Sequence, residues 1–467
     1  MNNATLPSSP AIPHCRFRDQ RLEQRCQQLF TAIGHAPTVN LKCLAHTRAE
    51  HIAYRRFLHH PATHVDRLIH GITAETQQRL RTHAYPHLLI VSDTSEINLR
   101  HQQGYHQRRG LGVVGNDRDA GFFIHPSIAV DPIQGHVLGC TSLSVWTRKG
   151  GCADRDAIES EKWSQAIDDV HQLRLAPSLT FIHDREGEIF RVWQRVEHHA
   201  QHLLCRARQD RRIAQTSTCP HGKLLADLHH QPLQATISVH LPADPDTARP
   251  ARESRVQLRW VRVNLLEPKT VRARAAQVNV SALEVMECTS DAVECTSDAA
   301  LSVASVHWVL LTTHAIHSVG DAQQMLEWYL RRWRIEQCFA AVKTRGLNIE
   351  SSRLHSGQAL VKLGIMAFWG AVRLTALLTG REDTGTLATT VFCAAEVRCL
   401  QALCVQLELR SGRRGNPYPA LCLAWAVWVI ARLGSWHGVG PPGVEVLRRG
   451  LERFDAAFFG WNAHRPL

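Results

Sequence analysis

The chain has 467 residues, too many for one small core, and its length predicts two to three domains. Apolar residues make up 44% and charged residues 21%, the balance of an ordinary soluble globular protein. Lys and Arg total 54 against 42 Asp and Glu, and this charge of +12, with 29 His besides, fits a nucleic-acid or anionic-membrane partner.

The opening "MNNATLPSSPAIPHC" lacks the basic segment and apolar run of a secretion signal. The apolar stretch "LCLAWAVWVIARLG" keeps about ten apolar residues before Arg432, too few to span a bilayer. A cytoplasmic protein with no membrane partner is expected. The 14 Cys are scattered without a C-x-x-C pair. Cys393, Cys399 and Cys404 in "CAAEVRCLQALC" read as fillers of a helix and as buried free thiols, with a zinc site as the alternative.

In chain order, residues 16–82 read as polar helices, "RFRDQRLEQRCQQLFTAI" and then "AEHIAYRRFLHHPATHVDRLI", broken at Pro61. Their Arg and His form either a grip for DNA or a solvated charged face. From His87 the texture turns to α/β. "HLLIVSDTSE" is a short apolar strand with Asp93 at its tip. "AGFFIHPSIAVDP" and "GHVLGCTSLSVW" are two strands joined by a turn, and "DAIESEKWSQAIDDVHQL" is a helix. "SLTFIHDREGEIF" repeats the first theme, a strand ending in Asp184 before a helix. "HLLCRARQDRR" is a strand that runs into a basic cluster.

Residues from about 213 to 304 predict a β-rich insertion, with strands such as "ATISVHL" and "SRVQLRWVRVNLL" among proline-rich turns. It carries a tandem repeat, "ECTSDAV" then "ECTSDAA", which reads as a duplicated surface loop. The strand "VHWVLLTTH" resumes the sheet, and beyond about residue 350 the chain is almost wholly helical. Trp and Phe are dense there, as core or as a self-association surface.

One stretch of this late region carries an odd pattern. Read as a single helix, "YLRRWRIEQCFAAVKTRG" lines Tyr329, Arg332, Glu336 and Lys343 within an arc of roughly 60°, along about 20 Å. Leu330, Ile335, Cys338 and Val342 point elsewhere, toward the body of the protein. A phenol, two fixed cations and one carboxylate in a stripe suit a polyanion, with the carboxylate on a metal. Two strand-end aspartates and this glutamate supply the hard oxygen ligands that divalent-metal phosphodiester chemistry requires.

These residues resemble a known pattern. "YLRRWRIEQCFAAVK" is similar to the Tyr-(2)-Arg-(3)-Glu-(6)-Lys signature of the bacterial DDE transposases of insertion-sequence family four, the family of the transposon-five transposase. Tyr329, Arg332, Glu336 and Lys343 match it. "HDREGEIF" resembles the family's block around its second aspartate, and "IVSDTSE" the block around its first. "AYRRFLHHP", "ESEKW", "HWVLLTT" and "AVWVIARLG" add further similarity in the family's order.

The resemblance implies an α/β fold with a ribonuclease-H-like catalytic core interrupted by a β-strand insertion and flanked by helical domains. The expected divisions are an N-terminal helical DNA-binding domain at 1–82, a catalytic domain at 83–349 and a C-terminal helical, dimerising domain at 350–467. It implies that Asp93, Asp184 and Glu336 are catalytic and bind two Mg²⁺, which Mn²⁺ can replace. The partners implied are double-stranded DNA, as transposon-end inverted repeats and target, and a second copy in a paired-end complex. The reaction implied is cut-and-paste transposition: hydrolysis at a transposon end, then attack by the freed 3′-hydroxyl, with a hairpin intermediate. Tyr329, Arg332 and Lys343 would touch phosphates, Trp308 would stack a flipped base, and Arg206 and Arg208 would contact the transposon end. Lys162 and Trp163 fall in a matching block without an assigned role. The chain departs at Ala340, where the transposon-five relative has a lysine, and in "TSEINLRHQQGY" beyond Asp93. Two other readings stay open, another ribonuclease-H-like nuclease and a non-enzymatic DNA-binding transposition inhibitor.

Overall fold

The computed structural model describes residues 12–81, 83–100, 110–148, 155–242, 249–268, 276–288, 305–344, 346–411 and 415–463. The tandem repeat, apart from Glu287 and Cys288, lies outside them, as does part of the stretch beyond Asp93. The chain leads with α1 (Gln20–His35), α2 (Leu41–Leu44), α3 (Arg48–His59) and α4 (Val65–Arg81). Asp19 caps α1, whose Cys26, Leu29, Phe30 and Ile33 recur every three or four residues and bury one face. Thr47 and Glu50 close a capping box on α3, which fixes where that helix begins.

The sheet follows, with β1 (His87–Ser92), β2 (Ser95–Asn98), β3 (Gly112–Val113), β4 (Ala120–Val130) and β5 (Val137–Trp146). Then come α5 (Arg155–Leu173), β6 (Ser178–His183), α6 (Phe190–His198), β7 (His202–Arg206) and α7 (Leu224–His229). The predicted insertion supplies β8 (Ala235–Leu241), β9 (Arg252–Leu266) and β10 (Gln277–Glu287), and β11 (His307–Thr312) returns. The rest is helical: α8 (Val319–Leu330), α9 (Trp333–Lys343), α10 (Gly357–Thr379), α11 (Ala394–Ser411), α12 (Leu423–Leu433) and α13 (Val444–Ala463).

The eleven strands among the described residues join one mixed sheet, in the order β2-β4-β1-β6-β7-β11-β10-β9-β8, with β3 and β5 also on β4. Strands β5, β4 and β1 are antiparallel neighbours, whereas β1, β6 and β7 run parallel. The insertion is therefore no separate layer: β10, β9 and β8 continue the same sheet outward from β11.

Strand β1 is buried on both faces, and its side chains divide by parity. Leu88 and Ile90 join a core under α5, α6 and α7 that holds Phe181, Trp163 and Trp193. Leu89 and Val91 join a larger core that runs from Leu29 and Phe57 through Leu310 to Phe368, Trp428 and Phe454. This core is continuous across the expected divisions near residues 82 and 350, so both terminal helical segments pack into one body with the sheet.

Helix α10 is its hub. By length and mean hydropathy (1.5) it is long and apolar enough to cross a bilayer, yet 89% of that stretch is buried inside the protein. Lys362 on α10 is buried, and its Nζ donates to the carbonyls of Leu58 (3.1 Å) and His60 (3.0 Å) at the end of α3. Most C-terminal aromatics resolve as core: Trp369, Trp425, Trp428, Phe392 and Phe454 are all buried. Cys393, Cys399 and Cys404 are buried free thiols.

Candidate active site

Strand β1 ends at Ser92 and β6 at His183, so Asp93 and Asp184 each follow the last residue of a strand. The two strands are parallel neighbours paired Val91↔Ile182. Carried two residues further, that register sets Asp93 beside Asp184, at about the 4.8 Å spacing of adjacent strands. Ligand sites of open α/β sheets form at such C-terminal strand ends.

The third carboxylate arrives from a pair of helices. The single helix expected over 329–346 is two, α8 ending at Leu330 and α9 starting at Trp333. Between them the bonds shorten to three-residue steps, Arg332 N to Tyr329 O (3.0 Å) and Ile335 N to Arg332 O (3.1 Å). Arg331 explains where the break falls. Its guanidinium is tied to the β4–β5 turn, donating to Asp131 O (3.2 Å), Ile133 O (2.7 Å) and Pro132 O. Arg334 adds a bond from Nε to Gly135 O (2.7 Å). The stripe is thereby broken: Tyr329 turns into the protein, 5% exposed, while Glu336 and Lys343 stay together on α9.

Arg332 sits at the centre of the cluster. It is 8% exposed, and its Nη1 donates to Asp93 Oδ2 (2.8 Å) and reaches Glu336 Oε1 (3.4 Å). Asp93 Oδ1 accepts from Thr94 N at 2.7 Å, and Asp184 Oδ1 accepts from Arg185 N. Burial pushes the Asp93 carboxyl up to about 7; Arg332 opposes this, and Glu336 and Asp184 add to it. Burial works against the Arg332 guanidinium, but Tyr329, Asp93, Asp184 and Glu336 raise it overall. Burial also pushes the Tyr329 phenol up to about 12, with Arg332 and Arg206 opposing and Asp184 adding. One electrostatic unit thus joins Asp93, Asp184, Glu336, Arg332, Tyr329 and Arg206.

Other expected residues are placed differently. Trp308 was expected to offer a face to an extruded base, but it is 6% exposed and belongs to the core. Tyr329 meets it edge-on (centroids 5.7 Å apart), and the guanidiniums of Arg206 and Arg249 lie 5.8 and 6.0 Å from its ring. No base reaches that ring without moving them. Arg206 is half-buried and donates to His307 O (3.4 Å), while Arg208 is exposed at the end of β7. Lys343, partly exposed, lies two turns beyond Glu336 on α9, about 10 Å along it.

A polar and aromatic floor under the strand ends was not foreseen. Thr94 Oγ1 bonds His125 Nδ1 (3.0 Å), and Trp163 packs against both His125 and His183 at 4.6 Å. Burial holds both imidazoles neutral, His183 down at about 3. Lys162 lies above Trp146 (5.2 Å) and 4.0 Å from Glu186. The one signal for this floor was the "ESEKW" block, which has no chemistry of its own.

Two carboxylates on one guanidinium, with a third acting on it electrostatically, are together the donor chemistry of a hard divalent cation. Among the described residues, however, no three His, Cys, Asp or Glu side chains stand close enough to hold a metal as they are. Arg332 Nη1 stands between two of the three groups. By chemistry, though not by present placement, the donor set fits such a cation.

No protein-family model matches the sequence. Among solved structures the chain is similar to piggyBac transposase, in its cryo-EM synaptic complex with hairpin DNA, at a TM-score of 0.33 and 8% identity. That likeness covers 82% of this chain and 55% of the other, so the chain spans little more than half of its length. A likeness of that size assigns neither family nor function. The chain is a mixed α/β protein with one large mixed sheet, in which Asp93 and Asp184 follow the neighbouring parallel strands β1 and β6.

Proposed function

We propose that this chain is a metal-dependent DNA transposase of the cut-and-paste type, resembling insertion-sequence family four. The observation that carries the reading is the pairing of Asp93 and Asp184 on adjacent parallel strand ends, with Glu336 held to Asp93 through Arg332. The order β5-β4-β1-β6-β7 supports a ribonuclease-H-like core, with β8, β9 and β10 as its insertion.

In this reading Asp93, Asp184 and Glu336 hold two Mg²⁺ or Mn²⁺. Bound there, such ions supply Lewis acidity to the attacking and leaving oxygens of an in-line displacement. The chain's own residues do the rest. Arg332, Lys343, Arg206 and Arg208 neutralise phosphates along α9 and the end of β7, and so orient the strand. Tyr329 forms the floor beneath Arg332, its proton held by burial. Water attacks first; the freed 3′-hydroxyl then attacks the opposite strand to give a hairpin, and no covalent enzyme intermediate is required. A homodimer that pairs two ends belongs to the proposal, since symmetric pairing suits coordinated cutting.

The test uses DNA from either side of the gene. A labelled duplex carrying any inverted repeat found there should be cut at its end, with Mg²⁺ or Mn²⁺ and not with EDTA. Cutting that is equal with EDTA, or absent from every flanking repeat while nonspecific DNA is degraded, would defeat the reading.

A further inference from the structure

We propose that Arg332 is an internal counter-ion which a divalent cation must displace, and that this displacement is what frees the guanidinium for the phosphate contact proposed above. The inference rests on the metal-site reading above and adds to it a competition within the chain. The geometry is direct. A single nitrogen, Arg332 Nη1, lies 2.8 Å from Asp93 Oδ2 and 3.4 Å from Glu336 Oε1. Two carboxylates from different elements would repel one another without a cation between them. The guanidinium therefore stabilises the metal-free site by filling the place a metal would take.

The backbone that carries Arg332 is anchored by its neighbours, and Arg332 itself precedes the first residue of α9. Arg331 and Arg334, on either side, are bound to carbonyls of Asp131, Ile133 and Gly135. The Arg332 guanidinium is held by its two carboxylate partners, with the Trp333 ring 5.3 Å from its guanidinium carbon. The Glu336 side chain is 40% exposed, so solvent and ions reach the pair from that side. An arginine also suits the second role, because its planar fork fits carboxylate and phosphate alike.

Competition has a definite sign. Removing the resident cation should strengthen metal binding, whereas removal of a metal-supporting residue would weaken it. The experiment is calorimetric titration of Mn²⁺ into the DNA-free full chain, for wild type, Arg332→Gln, Arg332→Lys and Asp93→Asn, with thermal melts of each. Arg332→Gln should bind Mn²⁺ about tenfold more tightly than wild type, a coupling of ordinary size. Arg332→Lys, whose single ammonium is less able to bridge both carboxylates, should fall between the two. If Arg332→Gln does not fold, the lysine variant decides. Unchanged or weaker Mn²⁺ binding in the folded arginine variants, with binding lost in Asp93→Asn, would overturn the competition and leave the metal site standing. Equal Mn²⁺ binding by wild type and Asp93→Asn would overturn both.

Discussion

Replacing Asp184 with Asn should slow cutting of a transposon end about a thousandfold while leaving duplex binding nearly unchanged. Loss of a metal-holding carboxylate removes about 4 kcal/mol of transition-state stabilisation, and each 1.36 kcal/mol is about a factor of ten in rate. Asparagine keeps the size and one oxygen, so the change is one of charge. The Asp184 carboxylate accepts locally, from Arg185 N at the end of β6, and the fold should survive. In the proposed function, binding rests on Arg and Lys at phosphates, which the substitution leaves alone. Single-turnover cleavage and a gel-shift titration, run on the same preparation, separate the two. Wild-type cutting by the variant would remove Asp184 from the site, and equal loss of cutting and binding would make it structural.

Replacing Glu396 with Gln should destabilise the protein by about 3–5 kcal/mol, the usual cost of leaving a buried cation unpaired. Glu396 is fully buried, and its Oε1 accepts from His35 Nε2 (2.9 Å) and Arg373 Nη2 (3.2 Å). Its Oε2 accepts from Cys393 N (2.6 Å), and His35 Nδ1 lies 2.7 Å from Asp455. The cluster ties α1 to α10, α11 and α13, the helices that close the larger core. Burial lowers His35, but Asp455 and Glu396 outweigh it and raise the imidazole to about 9. Burial raises Glu396, but Arg373 and His35 outweigh it and hold the carboxyl near 2. The signs follow. His35 adds stability that is full below its ordinary 6.5 and is lost as pH rises through about 9. Glu396 adds stability that is full above its ordinary 4.5 and is lost as pH falls toward about 2. Urea unfolding at about pH 6 and about pH 9.5 should therefore show wild type weaker at the higher value and the variant much less sensitive. Equal alkaline loss in both would place the titrating group elsewhere.

Much of the fold was readable because periodicity and turn chemistry agreed. Asp93 and Asp184 stood out as carboxylates at the ends of short apolar strands, and both strands form where expected. Parity of burial, however, says nothing about which strands are neighbours. Only the register Val91↔Ile182 brings the two aspartates side by side. The stripe on 329–346 was misread for a similar reason. Helical periodicity continues through Arg331 and Arg332, and nothing local marks the break. It is set by carbonyls of the turn at 131–135, nearly 200 residues away in the chain. That break buries Tyr329 and lets Arg332 reach Asp93.

Trp308 and the C-terminal tryptophans show the limit of composition. An aromatic that serves a base and one that fills a core look alike in sequence. Burial assigns Trp308, Trp425 and Trp428 to the core, so removing residues 420–467 would open that core before it tested any dimer contact. Lys162, His125 and Thr94 come from three separate elements, and their meeting beneath the strand ends is a matter of tertiary packing alone.

The most direct measurement is anomalous scattering from Mn²⁺ in crystals of the full chain with an uncut flanking duplex. A manganese peak should contact carboxylate oxygens of Asp93, Asp184 and Glu336, with the Arg332 guanidinium moved from Asp93 onto a phosphate. Manganese bound elsewhere, with Arg332 still between Asp93 and Glu336 and the DNA strand away from α9, would contradict the assignment of these carboxylates as a metal-dependent DNA-cleaving site.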